Sequence, residues 1–303
     1  MKKRRLGKSD LYVTELGLGC MSIGTEENTA EKIIHTALAE GINYFDTADL
    51  YDFGRNEKIV GQALKEVREQ VIIATKAGNR WNQEQTGWSW DPSKAYIKEA
   101  VKQSLNRLGT DYIDLYQLHG GTMGDSIDET IEAFEELKEE GFIRYYGISS
   151  IRPNVIREYV EKSNIVSVMM QYSILDRRPE EEVLPLLQVN DISVVARGPL
   201  AKGLLSERML EKASKKGYQD YSYEELAMVI PALRDRLASP RTLTEVALRY
   251  NLANPAVASV IAGASTVEQV MNNAKAVRGN PLTNDELAVI KAIVKETYYQ
   301  DHR

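Results

Sequence analysis

Eight near-continuous apolar runs alternate with amphipathic segments along this 303-residue chain. They lie at residues 16–20, 43–48, 71–76, 112–119, 144–149, 166–172, 193–198 and 258–263. Runs without polar alternation are expected of strands covered on both faces, the condition of a parallel sheet. Between them, apolar residues recur at helical spacing: Ala30, Ile33, Ile34, Ala37 and Leu38; Ile59, Val60, Ala63, Leu64 and Val67; Ile127, Ile131, Phe134 and Leu137. Strand–helix units joined by short links give parallel strands with right-handed crossovers. Eight such units close into a barrel more readily than they form an open sheet, and the length is normal for a (β/α)8 TIM barrel. The expected organisation is one barrel domain over residues 1–303.

Local signals refine this outline. Asn28 is expected to cap the first helix and Gly41 to end it. Ser126 with Glu129, Thr242 with Glu245, Thr266 with Gln269 and Thr283 with Glu286 read as capping boxes. Three segments fall outside the repeat. Residues 3–14 form an expected hairpin, turning at Gly7-Lys8-Ser9-Asp10, that plugs the barrel floor. Residues 283–296 read as an extra helix. Residues 199–241 read as a long, irregular, partly basic connection.

Composition excludes several classes of function. A formal net charge of −6 argues against a nucleic-acid partner. Residues 250–267 lack charge, but Asn, Pro and Ser interrupt them, so no membrane span is expected. Met1-Lys2-Lys3-Arg4-Arg5 is basic but leads into no apolar stretch, which is unlike a signal peptide. Cys20 is the only cysteine, which fits a reducing, cytoplasmic setting. His35, His119 and His302 show no metal-ligand spacing. There is no G-x-S-x-G elbow, and Gly17-Leu18-Gly19 does not extend into G-x-G-x-x-G. Close packing at the barrel mouth is the expected role of those glycines.

Reactive side chains gather at the C-terminal ends of three successive runs. Asp46-Thr47-Ala48-Asp49-Leu50-Tyr51 follows the apolar stretch Ile42-Asn43-Tyr44-Phe45 of the second, Lys76 ends the third and His119 ends the fourth. In a parallel barrel these ends share one mouth, where catalytic groups collect. Singly, each residue has an ordinary explanation, as a cap, a snorkelling amine or a core histidine. Together they make a coherent proton-transfer set. A phenol titrates near pH ~10, and a neighbouring ammonium lowers that value by stabilising the phenolate. Lys76 can be that ammonium, Asp46 can hold it, His119 can orient a carbonyl oxygen, and Tyr51 can give it a proton. No side chain supplies a hydride, so a reduced cofactor is required. A dinucleotide phosphate would be expected on the loops after strands seven and eight. There the chain reads Arg197-Gly198-Pro199-Leu200-Ala201-Lys202, with Arg208 beyond, and Gly263-Ala264-Ser265-Thr266 running into a helix. Trp81, Trp88 and Trp90 lie in residues 79–91 after strand three. They read equally as an apolar substrate wall or as anchors for the loop.

The set Asp46, Tyr51, Lys76 and His119 resembles the catalytic tetrad of the aldo-keto reductases. Leu16-Gly17-Leu18-Gly19, Leu108-Gly109-Thr110-Asp111-Tyr112-Ile113-Asp114, Gly147-Ile148-Ser149, Tyr172-Ser173-Ile174-Leu175-Asp176-Arg177 and Gly198-Pro199-Leu200-Ala201-Lys202-Gly203-Leu204-Leu205 also look like segments of that family. The likeness is strongest to its bacterial general-stress and channel β-subunit-like branch and covers essentially the whole chain. It implies an enzyme that reduces small-molecule carbonyl compounds with NADPH, or with NADH, bound without a Rossmann fold. The alternative it leaves open is an NADPH-binding redox-sensing module with slow turnover; a barrel lyase using Lys76 as a Schiff base lies outside the family. The cofactor residues it implies are Cys20, Met21, Asp46, Ser149, Gln171, Arg197, Gly198, Pro199, Leu200, Ala201, Lys202, Arg208, Gly263, Ser265, Gln269, Asn272 and Asn273. Met169 stands where the family carries the glutamine for the nicotinamide amide, and Gln171, on the same strand face, is the expected replacement. Arg197 stands where the family often carries a stacking aromatic residue. The 2′-phosphate site, often basic, here has Ser265, Gln269 and Asn273, with Arg208, Lys212, Lys215 and Lys216 as nearby cations. The chain is expected to work as a monomer or a homo-oligomer.

Overall fold

The computed structural model describes residues 1–206, 214–237 and 240–303. Its strands are β1 (Lys3–Arg5), β2 (Tyr12–Thr14), β3 (Leu16–Gly19), β4 (Tyr44–Asp46), β5 (Ile72–Ala77), β6 (Asn79–Trp81), β7 (Trp88–Trp90), β8 (Ile113–Leu118), β9 (Ile143–Ser149), β10 (Ser167–Gln171), β11 (Ser193–Arg197) and β12 (Val257–Gly263). Its helices are α1 (Glu27–Ala39), α2 (Arg55–Leu64), α3 (Lys94–Leu108), α4 (Ile127–Glu139), α5 (Pro153–Lys162), α6 (Val183–Val189), α7 (Tyr223–Leu237), α8 (Leu243–Ala253), α9 (Val267–Arg278) and α10 (Asn284–Ile293).

Strands β3, β4, β5, β8, β9, β10, β11 and β12 pair in parallel and close into an eight-stranded barrel. The helical stripes read from the sequence face it: Ala30, Ile33, Ile34, Ala37, Ile127, Ile131, Phe134 and Leu137 are buried in the layer between strands and helices. Strands β1 and β2 form the hairpin. Its turn sends Leu6, Leu11 and Val13 into a second apolar cluster inside the barrel, with Tyr44, Ala74, Leu115, Met169 and Val195. Each such leucine contributes about 1.5–3 kcal/mol by leaving water, and together they plug the floor. Gly17 has no room for a side chain, because a Cβ there would lie 2.5 Å from Ile261 Cδ1.

Four local expectations are corrected. The cap of α1 is Glu26, not Asn28: the Glu26 carboxylate accepts from the Asn28 and Thr29 amides at 3.2 and 2.8 Å. Asn28 is already helical, whereas a capping side chain must come from the extended residue before the helix. Ser126 precedes α4 without a capping bond. Of the four expected capping boxes only Thr283 with Glu286 is reciprocal. In the others Glu245 turns to Arg241, and Gln269 reaches past Thr266 to the Ser265 amide. Residues 199–241 are not irregular throughout. Leu226, Ile230, Leu233 and Leu237 recur at helical spacing and form the buried face of α7, which accommodates Pro231. Residues 79–91 are not a plain loop either, since β6 and β7 pair as an antiparallel ribbon.

Candidate functional site

Side chains alternate along a strand, so residues two apart share a face. The apolar layer inside the barrel contains Tyr44, Ala74, Leu115, Met169 and Val195. Two residues further toward the C-terminal mouth, the same strands carry Asp46, Lys76, Gln117, Gln171 and Arg197. Register pairs Lys76 with Gln117 and Gln171 with Arg197. A polar layer therefore lies directly on an apolar one, and strand periodicity alone puts it there.

Lys76 is fully buried. Its Nζ donates to Asp46 Oδ1 at 2.6 Å and to the Thr47 carbonyl at 2.7 Å. Gln117 Nε2 lies 3.5 Å from Asp46 Oδ2. An isolated ion at this depth would cost several kcal/mol, and these short contacts offset it. Tyr51 and His119 enter from the loops. Tyr51 opens a short 3-10 turn, its amide donating to the Ala48 carbonyl at 3.2 Å. Asp52 and Phe53 follow with left-handed φ of 49° and 51°. Two such residues in succession cost about 1–2 kcal/mol each, strain of a kind that collects where a side chain must be aimed. Lys76 Nζ is 5.2 Å from the centre of the Tyr51 ring. The His119 ring meets Tyr51 edge-on, with 6.0 Å between centroids. The backbone amide of His119 donates to the Ala77 carbonyl at 2.7 Å, and the ring Nδ1 is buried without a partner among the described residues.

Burial, then the Lys76 and Arg197 charges, push His119 down to about 3, so its imidazole is neutral at ordinary pH. Burial opposes a charge on Lys76, but Asp46 and Tyr51 together lift the amine above its ordinary value. Burial likewise raises Asp46, against the pull of Lys76 and Gln117. The upward direction on Lys76 is the one that decides the chemistry, because two short acceptors fix its ammonium. Tyr51 departs from expectation. Burial raises its phenol above the ordinary value and outweighs the downward pull of Lys76. Lys76 acts in the expected direction, but in the free protein the phenol stays firmly protonated.

The other half of the mouth is built on β9 to β12. Ser149, Gln171, Arg197 and Gly263 are the last residues of β9, β10, β11 and β12. Arg197 Nη1 donates to Gln171 Oε1 at 3.1 Å, while Gln171 Nε2 donates to Asp176 at 2.8 Å. Met169 lies one layer deeper, in the apolar cluster, which is why Gln171 is the amide at the rim. After Gly198, Pro199 and Leu200 the backbone turns left-handed at Ala201 and Lys202, with Lys202 exposed. Thr266 caps α9, and Ser265 Oγ and its amide both lie within hydrogen-bond distance of Gln269 Oε1. Asn273 is buried on the same helix and Asn272 is exposed. Cys20 is buried after β3, while Met21 is 64% exposed. Arg208 and Lys212 lie outside the described residues, and Lys215 and Lys216 are exposed. The tryptophans divide: Trp90 donates to Asp125 at 2.9 Å and anchors the ribbon, whereas Trp88 is 57% exposed.

Sequence reasoning missed Gln117 and Tyr218. Gln117 had a signal, because it lies two residues before His119 on an inward face. Tyr218 had none. Its hydroxyl comes within 3.4 Å of Gln171 Nε2 from a segment read as irregular.

The site thus combines a protonated phenol, a pinned ammonium, a neutral imidazole and a second cation, Arg197, around one mouth. That donor set suits a neutral group that gains a proton and a negatively charged nucleotide beside it. The sequence model of the aldo/keto reductase family matches residues 15–295. The chain is 61% identical to the uncharacterized oxidoreductase YqkF of Bacillus subtilis over the full length of both. It is 34% identical to the NADH-specific methylglyoxal reductase of Escherichia coli, over 92% of this chain and 94% of that one. Among solved structures it resembles aldo-keto reductase AKR11C1 from Bacillus halodurans in its holo form. The TM-score is 0.95 and the identity 61%, over 100% of this chain and 99% of that one.

Proposed function

The chain belongs to the aldo/keto reductase family and is an oxidoreductase, and from that premise we propose that it reduces aldehydes or ketones to alcohols with NADPH, Tyr51 acting as the general acid. The observation that carries this reading is the protonated Tyr51 phenol beside a Lys76 ammonium pinned at 2.6 Å by Asp46. The nicotinamide cofactor, when bound, supplies the hydride. The protein supplies the rest. His119, neutral down to about pH 3, is available as a hydrogen-bond partner that orients the substrate carbonyl without competing for its proton. As charge develops on the carbonyl oxygen, Tyr51 gives up its proton to it. The phenolate left behind is stabilised by the Lys76 ammonium, so the pull that burial masks in the free protein acts at the transition state. Gln117 holds the second oxygen of Asp46 and keeps the pair aligned.

Arg197 and Gln171 would hold the nicotinamide end, Gly198 to Lys202 the diphosphate, and Ser265, Gln269 and Asn273 the adenosine end. Those last three residues are uncharged, so NADH is the cofactor to test beside NADPH. The named specificity of the Escherichia coli relative points the same way. An exposed Trp88 beside the mouth favours an apolar carbonyl substrate.

The decisive experiment is Tyr51→Phe. General acid catalysis is worth about 10²–10⁴-fold, so kcat should fall by that order. NADPH binding, followed by cofactor fluorescence, should be nearly unchanged. A phenylalanine variant turning over at the wild-type rate would remove Tyr51 from the role.

A further inference from the structure

Directly behind Tyr51 lies a second buried polar cluster that the proposed reaction does not use. Asp49 occupies the turn between β4 and Tyr51, and its amide donates to the Lys76 carbonyl at 3.1 Å. Its side chain is buried. Oδ2 accepts a long hydrogen bond, 3.3 Å, from the Tyr96 hydroxyl on α3, the adjacent Leu50 amide also pulls on the carboxyl group, and Oδ1 has no close partner among the described residues. The charged and titratable groups acting on this cluster from the packed elements are Glu57 on α2, Arg107 and Tyr96 on α3, and Tyr116 on β8. Arg80 on β6 stacks over Tyr96 from the solvent side, half exposed and committed to Asp91.

Glu57 holds the strong partners. Its carboxylate accepts from Arg107 Nε at 2.6 Å and from Thr75 Oγ1 at 2.5 Å. The cluster therefore contains two carboxyl groups and one partly exposed guanidinium, and the guanidinium is bonded to Glu57. Lys76, whose carbonyl takes the Asp49 amide, has its ammonium committed to Asp46. A second carboxylate, with one long side-chain hydrogen bond and no cation bonded to it, would be a poorly compensated buried charge. Such a group keeps its proton instead. Burial and the Glu57 charge push Asp49 in that direction, up to about 8, against the weaker pull of Arg107, the Leu50 amide and Tyr96.

Resting on the reductase reading above, we propose that Asp49 is a positioning residue: a protonated buried acid whose ionisation unsettles the 46–51 turn and misaligns Tyr51 with Lys76. The link is covalent and short. The amide of Asp49 is tied to the residue that carries the ammonium, and its chain runs two residues on to the phenol. A new negative charge beside Glu57 is repelled by it and draws toward Arg107, which pulls on that tie.

The test is the pH profile of kcat/KM for carbonyl reduction in wild type, Asp49→Asn and Tyr96→Phe, together with thermal melts of each from pH 5 to pH 9. Wild type should lose activity above about pH 8, approaching tenfold per pH unit. Asp49→Asn, neutral and similar in shape, should lack that inflection. Tyr96→Phe removes the side-chain donor to the carboxylate and should move the inflection to higher pH. Stability supplies an independent reading. The folded pKa lies above the ordinary value of 3.8, so the native state binds the extra proton. Wild-type stability should therefore fall relative to Asp49→Asn as pH rises toward about 8, then run parallel. Superimposable pH profiles and parallel melting curves for wild type and Asp49→Asn would overturn the proposal. If Asp49→Asn fails to fold, an inflection unmoved in Tyr96→Phe overturns it. Absence of turnover in every protein would instead end the reductase reading, and the melts would still decide whether Asp49 holds its proton.

Discussion

On the β4–β5–β8 side of the mouth, Lys76 is fully buried and has two acceptors within 2.7 Å, one of them a carboxylate. On the β10–β11–β12 side, Arg197 is half-buried and rests on a neutral Gln171 oxygen at 3.1 Å, while Gln269 is spent on its own neighbour, Ser265. The first arrangement is charged, short and dry, and it costs much to disturb. The second consists of single hydrogen bonds at a half-exposed rim, worth about 0.5–1.5 kcal/mol where both partners are neutral and about 1.5–3 kcal/mol for the Arg197 donor, and these can be exchanged for bonds to a ligand at little net cost. The difference teaches a division of labour. The proposed chemistry is assembled before anything binds, while the proposed cofactor side holds its donors on provisional partners.

The sharpest way to break that comparison is to cut one partner from the rigid side. Lys76→Met leaves Asp46 as a buried charge without its counter-ion. Removing one member of a buried pair typically costs about 3–5 kcal/mol, and that loss is expected in denaturant unfolding. Asp46→Asn combined with Lys76→Met should cost less than the sum of the two single changes, because the neutral amide needs no ammonium. Additive losses, or a Lys76→Met variant as stable as wild type, would show that the two sides of the mouth are held alike.

Legibility follows the same division. Asp46, Lys76 and His119 terminate apolar runs, so strand periodicity located them, and the closed barrel brought them to one mouth as expected. Tyr51 depends on a turn with two left-handed non-glycine residues, yet its spacing from Asp46 was visible. What could not be read was the balance of effects on its phenol, since burial and a neighbouring ammonium oppose each other and only coordinates weigh them. On the other side, Gln171 and Arg197 were legible as strand ends, whereas their bond to each other and to Asp176 was not. Tyr218 and α7 lay inside a stretch whose Pro231 and basic residues masked a helical pattern. Asp49 was printed within the most informative hexapeptide of the chain. Nothing in the sequence distinguished it from a surface acid, because its isolation is made by where Glu57 and Arg107 fall in space.

Arg197 sharpens the comparison on the exchangeable side. If its guanidinium moves from Gln171 to lie against the nicotinamide, its charge disfavours the cationic oxidised ring relative to the neutral reduced one. NADPH should then bind more tightly than NADP⁺, and Arg197→Tyr should shrink that ratio. Loss of a charge-assisted contact is worth about 1–3 kcal/mol in cofactor affinity, less than the loss from cutting the Lys76 pair, and unfolding stability should scarcely change. Dissociation constants for both redox states, in wild type and variant at one ionic strength, measure it. An unmoved ratio would return Arg197 to the role of a rim donor.

The smallest effect is expected at Gln269. Its carboxamide oxygen accepts from the Ser265 amide at 2.7 Å, so in the free protein that amide is not open to a ligand. Gln269→Ala releases the Ser265 amide and removes one neutral donor. The two changes oppose each other, and NADPH affinity should shift by no more than about 0.5–1.5 kcal/mol, the worth of one neutral hydrogen bond. NADH should shift by the same amount if Gln269 does not contact the 2′-phosphate, and less if it does. Gln269→Arg supplies the missing charge at the same position on α9, and it should tighten NADPH while leaving NADH nearly unchanged. Fluorescence titration of the three proteins with both cofactors decides the matter. Should Gln269→Arg strengthen both cofactors equally, the added charge is acting on the diphosphate, and the adenosine end lies elsewhere than on the first turn of α9.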